Sequence, residues 1–481
     1  MSTLRRRWSA VVLAVPVLAS TLLAQAPAAA PPGTLALAGL PAGAREAAFA
    51  SIDASQSWQF MAGYEQAVKA LSIDSTFGLA RALRLSAGGA ATVSMANAEG
   101  PRATADAAGR PVAEATYLAA LRAAGTDANR LYGAAHAMLP NDRRIALDFA
   151  NSFTGVTRTD SLRSLVRQYP DFLGARLWLA YYLSFSTYST SKGEQYEAMT
   201  VAEDAVRLAP NNAASHTVLG HVLQRMGRLD EAAAHLATAT KMDPRAEYAY
   251  VVEAEIFVRD GKPKGVDRSR AAYDSAIAVS PNFGRKLTQR LYRAFLLFYD
   301  GRKAEGQAEI TAVAKDREAA GNVAAAAVEY AQAADFAAAT GDSASVERLL
   351  GEARRAGPNA NITLQAAHAY ALSKQPAQAR RELAEYVRRA ADTTTLAFRS
   401  DRHRLTGMAL VAEGKPAEAL VELKQSDIEG NPFASLAMMD AYTMLNNKAA
   451  ASAILATLMA DKDGPNSAVS IAIANYRALK K

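Results

Sequence analysis

The chain contains no cysteine. Disulfides, thiolate metal sites, a cysteine nucleophile and a lipid anchor carried on cysteine are excluded together. Aromatic residues make up only 7% of the sequence, and the strict polar–apolar alternation of strands is scarcely found. Acidic residues stand singly, without the clustering a cation site requires. None of the six histidines, His136, His216, His221, His235, His368 and His403, forms H-E-x-x-H. His216 and His221 are five apart, so on a helix they point about 140° from one another. Ser189 and Lys192 make an S-x-x-K string, but its S-D-N and K-T-G companions are missing. There is no P-loop, no G-x-S-x-G and no paired-glycine dinucleotide fingerprint. These absences lead us to expect no catalytic residues, no cofactor and no bound metal.

What the sequence has is a repeat. A small residue is followed seven positions later by a turn residue at Gly220/Gly227, Ala254/Gly261, Ala294/Gly301, Ala334/Gly341, Ala367/Lys374 and Gly407/Gly414. The small residues are spaced 34, 40, 40, 33 and 40 apart. Fixed periods of this length mark stacked helical hairpins rather than a globular enzyme core. In the unit from Ala213 to Ala246, Gly220 leaves room for a neighbouring helix and Gly227 ends the first helix. A second helix starts at Leu229 with Ala232, Leu236 and Ala239 on one stripe, and Pro244 stops it. The positions 12 and 16 after the small residue recur as Ala419 and Leu423, Ala379 and Leu383, and Val346 and Leu350.

The pattern resembles the tetratricopeptide repeat family, on Leu219, Gly220, Ala232, Ala239 and Pro244, and on the strings GRLDEA at 227–232 and GKPAEAL at 414–420. His216 and Leu223 depart from it, standing where the family more often has aromatics. The resemblance implies an all-α superhelix, a solenoid of stacked antiparallel hairpins. Such an array also escapes the size limit of a single core, which 481 residues would exceed. About eleven or twelve hairpins are expected between 43 and 481. Residues 43–170 read as divergent repeats with an irregular insert at 88–110, and 171–481 as the regular array, with a terminal helix near 467–479.

The N-terminus reads as a secretion signal over residues 1–26. Arg5, Arg6 and Arg7 precede a 16-residue apolar stretch, Ser9–Ala24, broken by Pro16. A spanning helix needs about 20 apolar residues, so cleavage near Ala24 is expected over retention as an anchor, leaving no membrane insertion. Residues 27–42 read as a flexible spacer. Secretion without cysteine points to a bacterial periplasm or envelope. Of the formal charge of +7, the three arginines of the signal account for three, and the mild remainder gives no reason to expect nucleic acid.

In a hairpin array the first helices line the concave side. The residues one, four and five after each small residue are then the groove candidates: Tyr181, Phe185, His221, Gln224, Arg225, Glu255, Arg259, Phe295, Phe298 and Tyr299. Polar, cationic and aromatic types concentrate there, which suits a peptide or protein segment. Family members that clamp a peptide carboxylate use particular Lys and Asn positions, which here hold Thr217, His221 and Arg225, so that function is not carried over. The expected role is a non-enzymatic interaction scaffold. The alternatives are an envelope glycan- or small-ligand-binding protein, or an accessory subunit of an envelope enzyme complex.

Overall fold

In the structure, a computed structural model, residues 31–87, 93–123, 125–184, 192–259, 264–280, 283–357, 360–390, 393–426 and 432–459 are described. The signal, the terminal helix expected near 467–479 and parts of the inserts lie outside them.

Among the described residues the chain is a succession of antiparallel helix pairs. The first four are α1 (Ala42–Gln56) with α2 (Phe60–Ile73), α3 (Gly78–Ala87) with α4 (Val93–Asp106), α5 (Val112–Arg122) with α6 (Gly125–Met138), and α7 (Arg143–Ser152) with α8 (Gly155–Gln168). Then come α9 (Leu173–Ser184) with α10 (Lys192–Leu208), α11 (Ala213–Arg225) with α12 (Leu229–Met242), α13 (Glu247–Arg259) with α14 (Gly265–Val279), and α15 (Phe283–Tyr299) with α16 (Lys303–Ala319). The last are α17 (Val323–Thr340) with α18 (Ser343–Ala356), α19 (Ala360–Leu372) with α20 (Pro376–Arg389), α21 (Leu396–Ala412) with α22 (Pro416–Leu423), and α23 (Pro432–Met444) with α24 (Lys448–Met459). The fold is all-α, an array of stacked helix hairpins.

Local chemistry sets the punctuation. The turn residues Gly227, Gly301, Gly341, Lys374 and Gly414 all have positive φ, between 57° and 83°. This is the left-handed close of a helix C-terminus, which glycine adopts at little cost. Pro376 and Pro416 follow two residues after Lys374 and Gly414 and open α20 and α22, where a missing N–H is harmless. Asp142 and Asn212, each two residues after a proline, cap α7 and α11: their side chains accept from the N–H groups of Arg144 at 2.9 Å and Ser215 at 3.1 Å.

The small residues do what their spacing demands. A Cβ on Gly220 would lie 2.8 Å from Cγ of Leu236, and one on Gly407 2.5 Å from Cγ of Leu423. Ala232 and Ala419 sit at the same two crossings with no exposed surface. First helices also touch the first helices of the next pair, as α9 does α11, α11 does α13 and α17 does α19, so that in these stretches the odd-numbered helices form a wall.

Three expectations need correction. The described part of the spacer is packed: Leu35 and Leu37 are buried, and the Leu35 N–H donates to the Asp142 carboxylate at 2.9 Å. The insert at 88–110 is largely the helix α4, whose Glu99 pairs with Arg81 and Arg84 from α3. No break in the core marks residue 171, because one hydrophobic cluster runs from Leu147 to Ile256. In each case apolar or ion-paired contacts with distant elements outweigh a locally loop-like composition.

The first pair leaves the nearest-neighbour pattern. α1 packs against α3 and also against α7 and α9. Arg144 from α7 pairs with Asp53 at 2.6 Å, and Gln56 donates to the Arg144 carbonyl and the Asp148 carboxylate, both at 2.8 Å. From α9, the Trp178 indole N–H donates to the Gln56 carbonyl at 3.1 Å. α1 thus lies across the wall formed by the first helices.

Candidate partner groove

The groove candidates divide into two groups. Tyr181 on α9, His221, Gln224 and Arg225 on α11, and Glu255 on α13 converge on one stretch of the wall. The rings of Tyr181 and His221 are 5.4 Å apart. Gln224 donates to Glu255 at 3.4 Å, and Arg225 donates to the Ser184 carbonyl at the end of α9, at 3.3 Å. Burial drives His221 down to about 3, with Arg225 adding to the effect, so its imidazole is neutral in ordinary buffers. Its Nδ1 faces the Tyr248 hydroxyl at 3.4 Å. Burial also raises the Tyr181 phenol to about 12.

Phe295 and Phe298 do not join this group. Both are buried and pack on Phe336 of α17, at ring distances of 5.7 and 3.9 Å. They tie α15 to α17 as core, and in the first group His221 and Gln224 are equally buried, so that only Tyr181, Arg225 and Glu255 of that group keep part of their surface exposed. Phe185 and the side chains of Arg259 and Tyr299 lie outside the described residues.

The position after the small residue bridges neighbours elsewhere. His368 on α19 donates from Nδ1 to Asp335 on α17 at 2.9 Å, with both residues buried. Three further histidines are engaged as well: His216 and His235 bring their Nδ1 atoms to 3.0 Å, and His403 reaches Glu422 at 2.8 Å. Among the described residues no three His, Asp or Glu side chains stand together as metal ligands. No described helix is long and apolar enough to cross a membrane.

One residue of the wall was missed from the sequence. Trp58, in the α1–α2 turn, stacks into the same stretch. Its ring lies 5.0 Å from Trp178, 4.7 Å from Tyr181 and 5.3 Å from Tyr248. The signal was present in the repeat itself. Ser51 is fully buried and lies seven residues before Trp58; Gly63 and Ala67 follow Ser51 at 12 and 16, and both are buried. The first pair obeys the register of the later ones, with tryptophan in place of the turn glycine.

Residues 196–254 match the tetratricopeptide repeat family, over α10 to α13. No curated protein matches the chain. Among solved structures, a thermophilic TPR protein of Thermus thermophilus is 24% identical, covering 36% of this chain and 89% of its own, at a TM-score of 0.32. A tetratricopeptide repeat protein of Parabacteroides merdae is 16% identical over 59% of this chain and 99% of its own, at 0.40. Yeast Tom70 is 13% identical over 80% and 90%, at 0.44.

Proposed function

We propose that this chain is a non-enzymatic interaction scaffold of a bacterial periplasm or cell envelope that holds a peptide or protein segment on its concave wall. The observation that carries this reading is the convergence of the half-buried Tyr181, Arg225 and Glu255 from three successive hairpins onto one stretch, over the buried His221 and Gln224 that brace it. Rigid helices present Tyr181, Arg225 and Glu255 already ordered, which lowers the entropy lost when an extended segment binds. The Arg225 guanidinium and the Glu255 carboxylate give that segment a cation and an acceptor to read. The basic, apolar N-terminus supports delivery by a cleaved signal.

The glycan alternative draws on aromatic stacking, but Tyr181 already packs on Trp58, Trp178 and Tyr248.

The test is site-specific photocrosslinking of the full chain in its own host. A photoreactive residue replaces Arg225, and a control replaces Ala237, which is exposed on α12. One discrete protein adduct at 225 and none at 237 is the expected result. Adducts at neither position, or equally at both, would remove the groove reading. N-terminal sequencing of the mature protein checks the compartment: a first residue of Met1 or Ser2 would exclude cleavage.

A further inference from the structure

The α1–α2 turn closes like the later turns, yet with a residue that suits the geometry poorly. Gly227, Gly301, Gly341 and Gly414 occupy this place with φ near 80°, whereas Trp58 adopts φ 64°. A bulky side chain in the left-handed region is strained, and such strain persists only where the surroundings impose it. The second cost is polar. The indole Nε1 of Trp58 is buried and has no hydrogen-bond partner among the described residues, while the neighbouring Trp178 indole does have one. A buried donor without a partner is destabilising.

What holds the turn against these costs is the ring packing on Trp178, Tyr181 and Tyr248, plus contacts that water weakens easily. Glu65 pairs with Arg245 at 2.8 Å, with both side chains about half exposed. The Arg285 guanidinium lies over the Phe60 ring at 4.6 Å. Exposed ion pairs of this kind are screened by salt and add little. Beside the turn runs a narrow crevice of ≈ 30 Å³, with Trp58, Phe60 and Met61 on one side and Thr217, Arg245 and Tyr248 on the other. The turn and the crevice lie on the same wall as the partner residues. α1 itself is anchored, with Ala44, Ala48 and Ile52 in the core, so only the segment around Trp58 has to move.

We propose that the α1–α2 turn is a displaceable plug: Trp58 fills an aromatic cradle formed by Trp178, Tyr181 and Tyr248, and a bound protein segment puts its own tryptophan or tyrosine side chain there instead. This rests on the groove reading above and adds the anchor residue of the partner. A cradle of packed aromatic rings takes an indole or phenol by edge and face contacts that a branched aliphatic side chain does not reproduce.

The test compares the wild-type full chain with Trp58→Gly, which removes the plug and places at 58 the residue that the later turns use. The probe is N-acetyl-L-tryptophanamide, titrated and followed by NMR, with N-acetyl-L-leucinamide as control. Trp58→Gly should bind the tryptophan probe at least ten-fold more tightly than wild type and neither protein should bind the leucine probe. Equal binding to both proteins, or no binding to either, overturns the plug. The chain has no native thiol, so Gln59→Cys supplies a single label site. Maleimide labelling there should speed up several-fold when Glu65→Lys is added, a change at an exposed site that serves even if Trp58→Gly folds poorly. An unchanged rate overturns the idea. The crosslink at 225 separates this proposal from the groove reading. An adduct of equal yield in wild type and Trp58→Gly sinks the plug alone, whereas loss of the adduct in both sinks the groove, with the probe titration still deciding the cradle.

Discussion

Gly407 lies against Leu423 as Gly220 lies against Leu236, in hairpins separated by 187 residues. In each pair the missing Cβ would come within 3 Å of the leucine Cγ. Gly407→Ala and Gly220→Ala should therefore each cost about 1–3 kcal/mol by overpacking. Gly227→Ala meets nothing nearby but keeps its positive φ; it should cost about 1 kcal/mol from backbone strain alone. Urea denaturation of the three variants should rank them in that order. A Gly227→Ala loss larger than the Gly407→Ala loss would contradict the crossing geometry.

Ala232 and Ala419 occupy the other side of these crossings, fully buried. An arginine at either has neither room nor an anion to meet, and the loss should be several kcal/mol, roughly 3 or more. A thermal midpoint that moves by under a degree or two in Ala419→Arg would show that the register is misplaced.

The His368–Asp335 bond ties α17 to α19 across the wall. Asp335→Ala or His368→Ala leaves a buried polar partner exposed to nothing that replaces it, at about 1–3 kcal/mol each. The double variant should lose less than the sum of the two, with a coupling of roughly 1 kcal/mol or more. Additive losses in a denaturation cycle would mean that the two side chains contribute independently.

Asp148 lies under the C-terminal end of α1, where it accepts from the Gln56 amide and the Tyr117 hydroxyl. Burial raises its carboxyl to about 6, against the bonds from Tyr117 and Gln56 and with Asp142 adding to the rise. A carboxyl raised on folding favours the folded state while protonated. Its contribution is fully present below about pH 4, the unfolded value, and is lost as pH rises through about 6. Wild type should thus lose stability relative to Asp148→Asn between pH 4 and 6, by roughly 2–3 kcal/mol. Parallel stability curves for the two proteins over that range would refute the shift.

The fold was legible because its rules are local. Seven residues from small residue to turn, then 12 and 16 to the facing stripe, state how one hairpin closes and how its second helix meets its first. Gly227, Gly301, Gly341, Lys374 and Gly414 all close their helices in the left-handed conformation, and the pattern extends to Ser51 and Trp58. The stretch of wall built from Tyr181, His221, Gln224, Arg225 and Glu255 followed from the same spacing, since each lies a fixed step beyond a small residue.

What the tertiary structure alone decided is which of those positions are covered by neighbouring helices and which keep exposed surface. Phe295 and Phe298 have the right phase, but the next first helix covers them with Phe336. Trp58 and Tyr248 are 190 residues apart, yet their rings are 5.3 Å apart. Curvature is the sum of small rotations over many hairpins, and no short-range pattern encodes that sum. It carries the wall around until the first turn meets it. The packing of Leu35, Leu37 and α1 against α7 and α9 has the same origin, because burial against distant helices, rather than local propensity, orders these segments.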